Sequence, residues 1–179
     1  MRCTFLLLLC VLLVTPSVEA LSVDDAYQAI PHRRTVFDSS ETSMTQGDRE
    51  YLEIFYRLVD EAIVQRVSML MYLSSQGDHG EVSTAYDRII YDLEVLEPPV
   101  KIKQAHHLVI AAIKQQREFL DNWYEQSLPS NTSVASDAEV RGASQKLRQA
   151  YSIMLSAYPI VSVNNKKSFF DYLCALDFI

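Results

Sequence analysis

Glycine is nearly missing from this chain, with 4 in 179 residues, and tryptophan occurs once. So few glycines leave little room for tight turns, and no stretch alternates polar and apolar residues long enough to make a sheet. Long hydrophobic runs are missing as well. The one apolar stretch, Phe5 to Val14, has about ten residues, where a membrane-spanning helix needs roughly 20. No glycine-rich phosphate loop, no Gly-x-Ser-x-Gly and no His-Glu-x-x-His occurs, so the common catalytic constellations lack their parts. No repeat of roughly 20 to 50 residues is visible.

Cysteine is scarce in a way that depends on the N-terminus. Arg2, the apolar run, Pro16 and Val18-Glu19-Ala20 have the layout of a secretory signal cut after Ala20. A lipoprotein signal would need a small residue before Cys10, but Leu9 stands there. Cleavage removes Cys3 and Cys10, so Cys174 is left alone and no internal disulfide can form. That thiol reads either as a small buried hydrophobe or as the half of an intermolecular disulfide. Arg2 and Glu19 leave together, which keeps the net charge at −7. An acidic surface of that size excludes nucleic acid as a partner and keeps the protein dispersed by self-repulsion. The expected location is secreted, in the periplasm if the host is bacterial.

What the sequence does have is helical periodicity. From Asp48 to Ser75, Leu52, Phe55, Val59, Ile63, Val67, Leu70 and Leu73 step by three or four, which keeps them on one helical face. Gly77 and Gly80 end this helix. Val82, Ala85, Ile89, Leu93 and Leu96 repeat the pattern up to Pro98-Pro99, and Pro99 can serve as the first residue of the next helix. That helix carries Ile102, Ala105, Val109, Ile113, Leu120 and Trp123, and a polar loop follows from Leu128 to Val134. Ser136 with Glu139 forms a capping box for a fourth helix bearing Val140, Ala143, Leu147, Tyr151, Met154 and Tyr158, which Pro159 stops. A short amphipathic helix from about Asn165 to Leu176 closes the pattern with Phe169, Phe170, Leu173 and Leu176.

The spacing therefore predicts an all-α fold, an up-down-up-down four-helix bundle with a short C-terminal capping helix across one end. Residues 1–20 are the signal, 21–46 an N-terminal arm and 47–179 the bundle domain. Asp24 to Ile30 can make two helical turns, but Pro31 and the Ser/Thr-rich stretch from Ser39 to Thr45 favour a mostly irregular arm.

Polar residues inside an apolar stripe must be paired or used. Arg66 lies mid-stripe in the first helix, Asp92 at the stripe edge of the second, and His106 and Gln116 in the third. At a rise of about 1.5 Å per residue, Arg66, Asp92 and His106 fall within about one turn of one another. Two readings follow. One is an Arg66–Asp92 ion pair with His106 hydrogen-bonded nearby, fixing helix register; the other is a pocket for a small anion or polar molecule, clamped by Arg66 with Asp92, His106 and Gln116. A third possibility uses His106 with Met69 and Met154 to hold haem or copper for electron transfer, although methionines at helical spacing usually fill cores and no Cys-x-x-Cys-His is present.

Other features read more plainly. His107 is turned onto a solvated face with Lys103 and Lys114, and His79 belongs to the Gly77–Gly80 turn. Pro31-His32-Arg33-Arg34 concentrates positive charge, either to pin the arm to acidic helix faces or to grip an anionic partner. Asn131-Thr132-Ser133 fits the N-glycosylation pattern in a eukaryotic host. Ten tyrosines, mostly on helices, suit stripe edges and partner surfaces alike, so a dimer through Cys174 or through tyrosine-rich faces is one expectation. The leading functional expectation is an exported, non-enzymatic bundle that binds a small ligand or a protein partner and needs no cofactor. The haem or metal bundle is the first alternative, and a lyase- or mutase-like enzyme around Arg66, Asp92 and His106 is the second.

Overall fold

The computed structural model describes residues 21–30, 33–75, 79–127 and 137–177. The signal segment, His32, Gly77, the Asn131 sequon and Ser136 lie outside the described residues. The chain is all-helical: α1 (Val23–Ala29), α2 (Gln46–Ser75), α3 (His79–Val95), a 3-10 turn (Val100–Ile102), α4 (Lys103–Ser127), α5 (Asp137–Ala157) and α6 (Val163–Leu176). Among the described residues there is no strand, and no helix is long and apolar enough to cross a membrane.

The expected stripes make the core. Leu52, Phe55, Val59, Ile63 and Val67 of α2 are buried, as are Ile89 and Leu93 of α3, Val109, Ile113 and Leu120 of α4, and Ala143, Leu147 and Met154 of α5. Leu70, Trp123 and Phe170 depart from the expectation, being 36%, 38% and 46% exposed. Beyond Ile63 the buried face of α2 takes in Arg66 and Met69 beside Val67, and the end of α6 lies against Arg66.

Helix starts follow their local chemistry. Thr45 accepts from the Asp48 amide and donates to the Asp48 carboxylate, satisfying a free donor at the first turn of α2. Asp48 is buried there and also accepts from Tyr158, just after α5, at 3.1 Å and from Lys101 at 2.8 Å. Burial pushes this carboxyl up, but Lys101, Thr45 and Tyr158 outweigh it and hold the group below the usual range. Pro99 precedes the 3-10 turn rather than opening α4, and α3 opens at His79, which the sequence assigns to a turn.

Two corrections concern the chain's ends. Residues 23–29 form a helix, capped by Ser22, with Ala26 and Tyr27 buried, where the sequence favours irregular chain. Helix α6 does not cross an end. It lies lengthwise on α2: Tyr172 stacks on Tyr56 at 4.3 Å, and the last turn of α6 reaches Arg66 further along. Its stripe is wide enough to need such cover, since Phe169, Tyr172, Leu173, Ala175 and Leu176 are all buried.

Residues 33–45 then run over α6 and α2 as a strap. The Asp38 amide donates to Asn165 Oδ1 at 2.8 Å, and Asn165 Nδ2 donates back to the Asp38 carbonyl at 3.0 Å and to Glu41 at 2.5 Å. Thr35 donates to Asp171, Glu41 accepts from the Ser162 amide and hydroxyl, and Phe37 packs against Tyr56 and Phe169. Arg34 realises the pinning role expected of the basic segment: its guanidinium meets buried Asp60 of α2 at 2.6 Å and lies over the Tyr27 ring.

Asn165 is wholly buried and ties two strap residues at once. Asn165→Ala is expected to lower the urea midpoint by the equivalent of about 2 to 3 kcal/mol, with an unchanged slope, because it leaves the Asp38 groups without partners.

Candidate functional site

A helix ends with carbonyls that have no partner inside the helix. In α6 these carbonyls are inside the protein, and three other helices supply donors to this end. Arg66 of α2, 4% exposed, donates from Nη1 to the Asp177 carbonyl at 2.6 Å and from Nη2 to the Ala175 carbonyl at 2.7 Å. Gln116 of α4, also buried, donates its amide to the Leu176 carbonyl, and Ser144 of α5 donates to the Asp177 carboxylate. A guanidinium at this position also faces the negative end of the α6 dipole. Burial pulls the Arg66 pKa down, while Tyr86 and Asp177 nearby pull it back.

Arg66 and Gln116 thus come together, but not with the other expected partners. His106 is buried several turns away, with Nδ1 2.8 Å from the Tyr51 hydroxyl and its ring packed near Tyr51 and Phe55 of α2. Arg66 stands fifteen positions beyond Tyr51 on α2, about 22 Å along the axis. Asp92 is half-buried, and its side chain takes no hydrogen bond or ion pair among the described residues. The Arg66–Asp92 pair and the three-residue cluster are therefore not formed. The end of α6 takes Arg66 instead.

His106 is held by Tyr51 of α2 and by the Leu93 carbonyl of α3. Burial first, and then His107, push it down to about 4 from an ordinary 6.5, and the Leu93 carbonyl opposes them. It is a neutral ring joining helices. The two methionines are not both near its level. Met154 is buried with its sulfur facing the Tyr56 hydroxyl at 3.7 Å, whereas Met69 lies thirteen positions beyond Tyr56 on α2, about 20 Å away along the axis. Among the described residues no group of three or more His, Cys, Asp or Glu side chains is placed to hold a metal ion.

The sequence gives little notice of two further groups. Asp60 next to Val59 accepts from Tyr27 at 3.0 Å and from Arg34; burial pushes its carboxyl up and these two partners only partly offset this. The other is a hollow of about 410 Å³ between α5 and α6. Leu147 and Leu173, both buried, form its floor, and Tyr151 and Phe170 form an aromatic wall, edge to face at 5.5 Å. Arg148, Cys174 and Asp177 stand at its edge. Burial, then Asp177 and Asp171, push the Cys174 thiol up despite Arg148, so it stays protonated and half-exposed. The repeat of apolar residues names every wall residue of this hollow, but the face that leaves it open depends on how α6 meets α5.

No known protein family matches the chain, and no curated protein or solved structure matches it either.

Two outcomes follow from the buried polar groups. Arg66→Met is expected to cost about 3 kcal/mol in urea unfolding, since it strands two buried carbonyls. The folded state keeps His106 neutral while the unfolded chain takes up a proton, so its contribution is complete above about pH 6.5 and is lost as pH falls towards about 4. Urea midpoints of the wild type should therefore fall through this interval more steeply than those of His106→Gln.

Proposed function

We propose that this chain is an exported, non-catalytic helical-bundle protein that binds a small molecule in the hollow between α5 and α6. Export is supported by the leader-like first twenty residues, with the periplasm as the destination if the host is bacterial. In the bundle, α2, α3, α4 and α5 run up, down, up and down. Lys101, Asp48 and Tyr158 support this arrangement, because their contacts bring the start of α2, the approach to α4 and the end of α5 to one level.

One observation carries the binding reading. The buried polar side chains that a catalytic or polar-ligand site would use are already spent on the fold, Arg66 and Gln116 on the end of α6 and His106 on Tyr51 and Leu93. The hollow is the reverse: an open, apolar-walled volume of about 410 Å³, within the roughly 300 to 1,000 Å³ typical of small-molecule sites.

Native mass spectrometry of the protein purified from its own host tests this. The expected result is a non-covalent small molecule retained by the wild type, and lost from Cys174→Trp, whose added ring fills the hollow while the helical circular dichroism is unchanged. A bare monomer mass for the wild type overturns the reading.

A further inference from the structure

We infer that the molecule held between α5 and α6 is a small amphipathic anion, with its apolar body against Leu147, Leu173 and the Tyr151–Phe170 wall and its acidic head on Arg148. This rests on the binding reading above and adds the chemistry of the ligand.

The walls determine the body. Phe169 and Phe170 are consecutive on α6, yet Phe169 is wholly buried and Phe170 is 46% exposed. Exposed aromatic surface of that size leaning on Tyr151 beside an apolar floor is stabilised by whatever apolar group slides beneath it. The volume suits one short chain or one ring system, not a two-chained lipid.

The rim determines the head. Two charges stand on it, and they are not equivalent. Asp177 is already held, its carboxylate by Ser144 and its carbonyl by Arg66. Asp171, whose field also reaches Cys174, accepts from Thr35. Arg148 is exposed and makes no hydrogen bond or ion pair among the described residues, so it is the charged side chain at the mouth left to meet a ligand, while the carboxylates of Asp177 and Asp171 each already accept from a hydroxyl. A guanidinium presents parallel donors that match a carboxylate, so the head seats on Arg148 and away from the Asp177 carboxylate.

Cys174 gives a readout without a mutation at the site. The full chain is treated with iodoacetamide in the presence of decanoate or decanol, below the concentration at which decanoate forms micelles, and alkylation is read on the peptide that carries Cys174. The expected result is that decanoate slows alkylation at a concentration about five- to tenfold lower than decanol. Arg148→Gln should remove that difference, and Arg148→Lys should restore part of it. Equal protection by decanol, or an advantage for decanoate that survives Arg148→Gln, overturns the anion assignment. Protection that appears only with a doubled native mass also overturns it, because a second copy then covers the hollow. If neither compound protects, the ligand chemistry is wrong; whether the host-purified protein still carries a molecule that Cys174→Trp releases then decides separately about the binding reading.

Discussion

A helix cannot end inside a protein unless something donates to its last carbonyls, and the arrangement of this molecule follows from meeting that demand at α6. Arg66 of α2 and Gln116 of α4 donate to those carbonyls, and Ser144 of α5 donates to the Asp177 carboxylate at the same turn. With that end fixed, α6 has to lie along α2. That placement stacks Tyr172 and Phe169 on Tyr56, carries Asn165 to the strap, and leaves the shallow apolar gap against α5. Each buried hydrogen bond to a charged donor contributes about 1.5 to 3 kcal/mol, a large fraction of the stability of an ordinary domain.

The other buried polar groups obey the same economy of charge. His106 is kept neutral between a hydroxyl and a carbonyl, while Asp48 stays ionised because Lys101 and two hydroxyls surround it. Asp60 is the intermediate case, in which Arg34 and Tyr27 reach the carboxylate but burial still raises its pKa. Burial prevails at Asp60, which has two donors, and is outweighed at Asp48, which has three. An interior of this kind tolerates polar residues only where neighbouring elements bring complementary atoms within about 3 Å.

How much of this was legible in the sequence depends on the range of the interaction. Periodicity of three and four residues identifies the long helices and most of their buried positions, because an amphipathic face is a local property of the chain. The same reading correctly marks Arg66, His106 and Gln116 as interior polar residues. It assigns them the wrong partners, because hydrogen-bond geometry depends on helix rotation and on α6, which shares no local pattern with α2. The pairing of Arg34 with an acidic helix face follows from charge alone, but the choice of Asp60 does not. The helix at Val23–Ala29 was misjudged since Pro31 and the serines after it are strong breakers, and only burial of Ala26 and Tyr27 against α2 makes seven residues worth ordering.

The strap ties together stretches that are far apart in the chain: Asp38 with Asn165, separated by 127 positions, and Thr35 with Asp171, separated by 136. Neighbouring helices such as α4 and α5 can zip up early, since they are close together along the chain. The strap has to wait for α6 to find its groove on α2. The polypeptide therefore reaches its finished state by a late, entropically costly encounter of its two flanks, and until that encounter occurs Phe169 and Tyr172 present sticky surface to any other unfinished copy.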